Sequence, residues 1–275
     1  MAKPLAPEKA RLTDCHVHLD HLVPEERERA LERSRAAGVR FLVTAGMDIA
    51  SSSAAVALAL PTKGILAGVG VHPWNADRAP RDFAQTLRQE ANSPGVVAIA
   101  EAGLDFEDNV FSGVSYRNNP ALRQAQERVL RDQIALACEL HFPLVLHARG
   151  AYAPLVRILR EEKADRVGGA IHNFDTDEAT ARAVFDLGFL ASFGGTVTFP
   201  SETAVHALVR FVPLDRILLE TDSPYMPLYQ ETQEKNEPAN VARVAQALAD
   251  LRGIALEELA QATFRNFTAL FGVSA

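Results

Sequence analysis

A (β/α)8 barrel is the fold class that this sequence predicts. Short apolar runs alternate with helical patterns along almost all of the 275 residues, and eight of the runs are of strand type. A strand followed by a helix, repeated, indicates parallel strands, and eight such units in about 250 residues match a closed barrel. No G-x-G-x-x-G loop opens a helix, which disfavours the alternative of a doubly wound open sheet.

The predicted strands are apolar runs bounded by turn or helix signals. They are Leu12–Val17, Phe41–Thr44, Ile65–Val71, Val96–Ala100, Pro143–Leu146, Gly169–Ile171, Phe189–Phe193 and Arg216–Leu219. A helix between the first two strands has Pro24 in its first turn and ends at Gly38. A longer helix is predicted over NPALRQAQERVLRDQIALACEL. Because no linker, low-complexity tract or short repeat interrupts the pattern, residues 1–275 are expected to form a single domain.

Composition and charge narrow the class of protein. The chain is 48% hydrophobic, and no segment approaches the roughly 20 apolar residues of a membrane span. The basic N-terminal stretch MAKPLAPEKARL is not followed by an apolar run, so it does not resemble a signal peptide. The two isolated cysteines, Cys15 and Cys138, do not suggest a disulfide framework. A soluble cytoplasmic protein is therefore expected. A net charge of −7 with basic residues spread along the chain disfavours long-range attraction to duplex nucleic acid. This charge does not exclude an enzyme that binds the end of a nucleic acid chain through metal ions.

Two histidines one residue apart, His16 and His18, end the first strand in the stretch DCHVHL. On an extended strand both side chains project to the same face, which makes a chelating pair. The alternative for an isolated H-x-H is two half-exposed polar residues at a strand end. A metal ion needs further ligands from other segments, so the remaining strand ends decide between the two interpretations.

The other predicted strands also end in residues of metal-ligand type. Strand C-termini of a barrel meet at one rim, and the chain places there His72, Glu101, His147, Arg149, His172, Glu220 and Asp222. Each residue alone is a common cap or rim residue. Together they predict a bound cation, because several desolvated groups without partners would cost a few kcal/mol apiece. The histidines outside the strand ends are His21, His141 and His206.

The predicted ligands are too many for one tetrahedral ion and suit two divalent ions that share a bridging group. They are His16, His18, Glu101, His147, His172 and Asp222. Glu101 is the predicted bridge, because it comes from the middle of the strand order. No lysine ends a strand, so a carboxylated lysine does not fill this place. Mixed imidazole and carboxylate sites accept zinc, manganese or magnesium, so the identity of the metal stays open.

The ordered motifs resemble the TatD family of metal-dependent hydrolases, within the amidohydrolase superfamily. They are DCHVHL, GVHP, AEAGLDF, QERVLRDQIALA, PLVLHAR, IHNF, SFGGTVTF, ETDSPYM, NEP and FRNFTALFG, from Asp14 to Gly272. The resemblance implies a TIM barrel with two divalent metals and nuclease activity, usually exonucleolytic removal of nucleotides from DNA. It implies one metal at His16, His18, Glu101 and Asp222, and the other at Glu101, His147 and His172. The connection EDNVFSGVSYRNNPAL is longer than the family's, and such loops shape substrate access.

The expected mechanism uses Glu101 and Asp222 as the catalytic residues, with Asp222 as the general base for a metal-activated water. Arg149 either binds a substrate phosphate or pairs with a neighbouring acid. His72 either lies near the substrate or caps the turn before Pro73. The nucleic acid substrate is expected to be a DNA end.

Three questions stay open in the sequence. Phe106, Phe111 and Tyr116 of the long connection either pack on the barrel, which we favour, or stack on nucleobases. Glu220 and Glu237 either orient ligands or form ion pairs. The same two-metal site would also serve a deacylase or esterase, and a scaffold that uses metals for stability is a further alternative.

Overall fold

Eight parallel strands form one sheet in chain order, and the sheet curls into a barrel. The computed structural model describes residues 11–109, 112–230 and 235–274. The barrel strands are β1 (Leu12–Val17), β2 (Val39–Ala45), β3 (Ile65–Val69), β4 (Val96–Asp105), β7 (Leu144–Arg149), β8 (Gly169–Ile171), β9 (Phe189–Phe193) and β10 (Ile217–Leu219). A short antiparallel pair, β5 (Asp108–Asn109) and β6 (Val114–Ser115), lies in the connection after β4. The predicted barrel fold is confirmed.

Helices follow the barrel strands. They are α1 (Pro24–Ala37), α2 (Ile49–Ala59), α3 (Phe83–Ala91), α4 (Pro120–Leu140), α5 (Tyr152–Glu161), α6 (Glu178–Phe185), α7 (Thr203–Phe211), α8 (Val241–Arg252) and α9 (Leu256–Phe271). Both helices singled out in the sequence are confirmed: Gly38 ends α1 at a φ of 99°, and the Asn119 side chain caps α4 by accepting from the Leu122 N–H. Among the described residues, no helix combines the length and apolarity needed to cross a bilayer.

Alternating residues on a strand belong to two apolar layers. Leu42, Ile99 and Leu146 belong to a large cluster that includes residues of the surrounding helices. Their chain neighbours Val43, Ala100 and Val145 belong to a smaller cluster that also holds Phe267 and Phe271 of α9. This period of two is the pattern of a barrel whose strands face helices on one side and the barrel interior on the other.

The seam between β1 and β10 closes the barrel. Val17 pairs with Ser223, the Asp222 N–H donates to the His16 carbonyl at 3.0 Å, and the His18 N–H donates to the Ser223 carbonyl at 2.7 Å. Asp14 reinforces the seam, since its carboxylate accepts from the Thr221 hydroxyl at 2.6 Å and from the Thr221 N–H at 3.0 Å. Residues from the two ends of the chain are thereby brought side by side.

Two predicted strand ends are wrong. β4 continues to Asp105 instead of ending at Ala100, and β7 continues to Arg149 instead of Leu146. The strands pair as far as Asp105 and Arg149, because backbone hydrogen bonds continue after a polar side chain first interrupts each apolar run. Glu101 and His147 therefore lie inside strands. The other strand boundaries differ from the prediction by two residues or fewer. The assignment of all 275 residues to one domain stays a prediction, since residues 1–10 lie outside the described chain.

Candidate metal centre

Glu101 lies in the middle of a cluster of imidazoles at one end of the barrel. Its Oε2 is 3.3 Å from His16 Nε2 and 3.5 Å from His18 Nε2. Its Oε1 is 2.8 Å from His172 Nε2 and 3.1 Å from His147 Nδ1. The two oxygens of one carboxylate therefore face two different pairs of histidines. The side chain is only 3% exposed, so these contacts are made away from bulk water.

Asp222 completes this cluster from the end of β10. Its Oδ1 is 3.7 Å from His16 Nε2 and 3.6 Å from His18 Nε2, and its Oδ2 accepts from the Asn173 side-chain amide at 3.1 Å. The side chain is 12% exposed, so it lies on the solvent side of Glu101. Its φ of 56° is the left-handed conformation, which aspartate tolerates better than most residues and which recurs at functional sites.

The donor set fits a bound cation. His16 Nε2 and His18 Nε2 face each other at 3.2 Å, and His147 Nδ1 faces His172 Nε2 at 3.0 Å. Nitrogen lone pairs converging beside carboxylate oxygens are the arrangement that a metal ion stabilises. Three sets of three possible ligand atoms lie within 4.8 Å of one another. They are His16, His18 and Glu101; His16, His172 and Asp222; and His72, Glu101 and His147. All six ligands proposed from the sequence are in this cluster.

His72 has one nitrogen in a turn and the other in the cluster. Its Nδ1 accepts from the Trp74 N–H at 3.1 Å, which is the capping role considered in the sequence. Its Nε2 is 3.4 Å from Glu101 Oε1. Burial lowers the pKa of His72 to about 4, so the ring is neutral at pH 7. With Nδ1 as the acceptor, the proton of the neutral ring is on Nε2, which can therefore donate a hydrogen bond toward the centre.

Asp105 is a residue of the site that the sequence reasoning missed. Its Oδ2 is 3.1 Å from His147 Nε2 and accepts from Trp74 Nε1 at 2.8 Å. These contacts hold the His147 ring with Nδ1 directed at Glu101. The signal was the aspartate of AEAGLDF, four residues after Glu101 and therefore on the same face of an extended strand. It was overlooked because the predicted strand stopped at Ala100.

Arg149 pairs with Asp105, which is one of the two roles considered for it. Its Nε donates to both carboxylate oxygens at 3.0 Å, and its Nη2 donates to the Asp108 carbonyl at 3.3 Å. Burial alone would raise the pKa of Asp105, but the bonds with His147 and Arg149 outweigh it and lower that pKa to about 2. The Arg149 side chain is 42% exposed, so part of the guanidinium still faces solvent.

Glu220 and Glu237 have different roles. Glu220 Oε1 accepts from the Asn173 N–H at 2.7 Å and is 3.6 Å from His172 Nδ1, so it orients a residue of the cluster. Glu237 pairs with Arg33 at 2.5 Å, and neither residue is among the possible ligands of the centre. Glu220 therefore orients a possible ligand, and Glu237 forms an ion pair.

His21 lies beside the centre although it is outside the strand ends. It belongs to a single helical turn, Leu19–His21, directly after β1. Its ring stacks on that of His18 at 5.3 Å, and its Nδ1 is 2.7 Å from the Tyr225 hydroxyl. The sequence did not reveal this placement, because it depends on the turn that follows the strand.

Two aromatic residues of the long connection, Phe106 and Tyr116, pack on the barrel. Phe106 is buried under the Arg123 guanidinium, 4.6 Å from the ring centre, and the buried Tyr116 donates its hydroxyl to the Trp74 carbonyl at 3.3 Å. Both residues follow the packing interpretation. Phe111 lies outside the described residues.

Without a bound metal, nearby charges favour ionised carboxylates in the cluster and protonated imidazoles at His18 and His172. Burial instead lowers the pKa of His16 and of His72. Burial alone would lower the pKa of His18 and of His172, but nearby Asp222, Glu101 and Glu220 outweigh it and raise both. Burial alone would raise the pKa of Glu101, but the surrounding histidines hold it well below its usual range. Protons thus occupy the positions where a metal ion would bind.

Known proteins similar to this chain include metal-dependent hydrolases. A family model described as TatD related DNase matches residues 13–272. The chain is 37% identical over 268 residues to the uncharacterized metal-dependent hydrolase YcfH of Escherichia coli (strain K12), covering 96% of this chain and 97% of the relative. It is 32% identical over 252 residues to the 3'-5' ssDNA/RNA exonuclease TatD of Pantoea vagans, covering 90% and 93% of the two chains.

A solved structure shares the whole architecture. The crystal structure of YjjV, a TatD homolog from Escherichia coli K12, matches with a TM-score of 0.87 at 29% identity, over 97% of this chain and 100% of the other. The range matched by the family model includes the residues of the centre from His16 to Asp222. The chain therefore belongs to the TatD family of metal-dependent hydrolases.

Proposed function

We propose that the protein is a two-metal nuclease that removes nucleotides from the 3' end of single-stranded or frayed DNA, with RNA as a second substrate. The observation that carries the proposal is the central carboxylate of Glu101, whose two oxygens face two separate pairs of imidazoles. A shared carboxylate of this kind is typical of two-metal phosphodiesterases. The Pantoea vagans relative, named as a 3'-5' exonuclease, supports the choice of substrate.

In this proposal each ion has its own set of ligands. His16, His18, Glu101 and Asp222 would hold one ion, and Glu101, His147 and His172 would hold the other. When bound, two divalent ions, whether zinc, manganese or magnesium, lower the pKa of water and stabilise negative charge on phosphoryl oxygens. Asp105 and Glu220 keep His147 and His172 directed at Glu101, where the ions would bind.

Asp222 is the general base of the proposed reaction. Its Oδ2 is held by Asn173, so Oδ1, which faces the cluster, is the atom that accepts the proton of the attacking water. Burial alone would raise the pKa of Asp222, but the bond with His18 and the charges of His16 and His172 lower it. The carboxylate is therefore ionised and able to accept a proton at pH 7.

His72 and the exposed part of Arg149 lie where the substrate phosphate would meet the centre. Arg149 has guanidinium N–H groups beyond the one paired with Asp105, and arginine suits the bidentate binding of phosphate oxygens. His72 is neutral and directs Nε2 at the centre. We assign both residues to substrate binding.

Elemental analysis followed by a digestion panel tests the proposal. Purified protein is assayed for bound metals and then given end-labelled single-stranded DNA, the matching RNA and acyl esters, with Asp222→Asn as the control. We expect stepwise shortening from the 3' end at nanomolar enzyme, and no turnover of esters. Ester hydrolysis without DNA shortening would indicate the deacylase, and hydrolysis of neither by metal-loaded protein would indicate the scaffold.

The proposed function also implies a binding partner and a cellular compartment for the protein. DNA ends are the proposed partner. A cytoplasmic location is supported by Cys15 and Cys138, which are both buried and both free of disulfides.

A further inference from the structure

We propose that Tyr225, braced by His21, is a stacking platform for a nucleobase next to the scissile phosphate; this inference rests on the proposed nuclease function. Five large apolar side chains of the described chain are exposed, and three of them fall between residues 225 and 229. Tyr225 is the most exposed of these three, at 45%. It follows the proposed general base Asp222 by three residues.

Tyr225 lies against the metal centre and not merely near it in sequence. Its ring centre is 5.8 Å from that of His18, a proposed ligand, and 5.7 Å from that of His21. Both contacts are edge-to-face. A base stacked on the exposed part of this ring would therefore belong to a nucleotide whose phosphate reaches the centre.

The ring is held in place before any ligand arrives. The Tyr225 hydroxyl and His21 Nδ1 are 2.7 Å apart, and the Tyr225 N–H donates to the Asp222 carbonyl at 2.8 Å. His21 is in turn stacked on His18. An aromatic ring fixed at both ends loses little conformational freedom when a flat group binds it, which favours stacking.

The charges around Tyr225 favour a base over a phosphate. The carboxylates of Asp20 and Asp222 lie on this side of the centre, and Asp20 Oδ2 is 3.5 Å from His21 Nε2. They would repel a phosphate and leave an uncharged ring unaffected. The partly exposed Arg149 lies at the end of β7, which pairs with β4, whereas Tyr225 lies beside the seam between β1 and β10. A nucleic acid chain would thus place a base at Tyr225 and its phosphates toward Arg149.

The matched control is Tyr229, which is 41% exposed and lies four residues further on. Its ring contacts Phe199 at 5.7 Å, and its N–H donates to the Thr198 hydroxyl at 2.8 Å. Tyr229 therefore offers the same residue type and a similar exposure without a contact to the histidines given above.

The experiment compares Tyr225→Ala, Tyr225→Phe and Tyr229→Ala on metal-loaded protein. The substrates are a short single-stranded DNA and three versions with an abasic residue at the last, second-last or third-last position. We expect Tyr225→Ala to raise KM for the intact DNA by roughly 5- to 150-fold, the range of one lost stacking contact, with little change in kcat. Tyr225→Phe keeps the ring and we expect it to retain most of the affinity, while Tyr229→Ala matches wild type.

The abasic substrates identify the contact. For one abasic position, we expect wild type and Tyr225→Ala to have the same KM, because the stacked base is already gone. An anisotropy titration of labelled DNA in excess EDTA gives a second readout, in which Tyr225→Ala weakens binding. An equal loss on intact and on all abasic DNA, or no loss at all, would overturn the subsite while the nuclease proposal stands. If wild type cleaves no DNA, the nuclease proposal fails and the subsite fails with it.

Discussion

Replacing Asp105 by asparagine tests whether the metal centre depends on a residue that contacts no proposed ion directly. The asparagine would keep the shape of the side chain and lose its charge. The contacts at risk are those with His147 Nε2 at 3.1 Å and with Arg149 Nε at 3.0 Å. Without the carboxylate, the His147 ring is less firmly held with Nδ1 toward Glu101.

The expected magnitude follows from the pKa of Asp105. Its shift from 3.8 to about 2 corresponds to roughly 2 kcal/mol of folding free energy, at about 1.4 kcal/mol per unit. Because the pKa in the folded protein is depressed, this contribution is present above the unfolded value and is lost as pH falls through the folded value. The wild type should exceed Asp105→Asn by about 2 kcal/mol at pH 7 and by about 1 kcal/mol at pH 3. Metal affinity and turnover should fall by about 10- to 100-fold.

Urea unfolding of both proteins at pH 7 and pH 3 measures the stability difference, and metal titration measures affinity. Asp108→Asn is the matched control, because Asp108 is exposed and its carboxylate pairs locally with the Ser115 hydroxyl at 2.6 Å. We expect that control to match wild type in both assays. Unchanged metal affinity in Asp105→Asn would refute the positioning role, and a stability difference that does not shrink at pH 3 would refute the electrostatic account.

Three further expectations follow from the centre. Asp222→Asn should lower turnover by about 10²- to 10⁴-fold, because the general base is gone, while thermal unfolding shows that most of the folding stability is retained. Glu220→Gln should weaken metal binding by about 10- to 100-fold in a chelator competition assay, since His172 loses the charge 3.6 Å from its Nδ1. The pKa of His172 is raised well above 6.5 in the metal-free protein, so its ion pairs stabilise that form below 6.5 and lose their effect as pH rises through the raised value. The increase in melting temperature on adding metal should therefore be larger at pH 8 than at pH 6, and a pH-independent increase would contradict this.

The barrel was predictable because its signals are local. Strands such as Leu12–Val17 and Phe189–Phe193 are apolar runs of the right length, and the turns beside Pro24 and Gly38 mark the ends of a helix. Once the strands are parallel and number eight, their C-terminal ends must share one rim. The convergence of His16, His172 and Asp222 follows from that topology.

The supporting residues were less predictable because their partners are distant or polar. Asp105 is the last residue of β4, beyond the point where Glu101 interrupts the continuous apolar run, and strand pairing continues there to Arg149. Asp14 pairs with Thr221, more than two hundred residues away, and nothing local indicates that contact. His21 lies in a turn whose direction depends on how β1 meets the segment after β10. Sequence patterns identify elements, whereas these contacts depend on how elements meet.

The seam between β1 and β10 connects the fold to the proposed chemistry. His16 and His18 come from one side of the seam and Asp222 from the other, so an ion bound by all three would join the first strand to the last. The Asp14 carboxylate already makes that connection without metal, through the Thr221 hydroxyl and N–H. Backbone hydrogen bonds from Asp222 to His16 and from His18 to Ser223 fix the spacing. The ligands are thus arranged before the ion arrives, which lowers the conformational cost of binding it. Burial raises the pKa of the Asp14 carboxyl well above its usual value, although the hydrogen bonds from Thr221 act in the opposite direction. The contact that joins the two strands therefore depends on a fully buried acidic side chain.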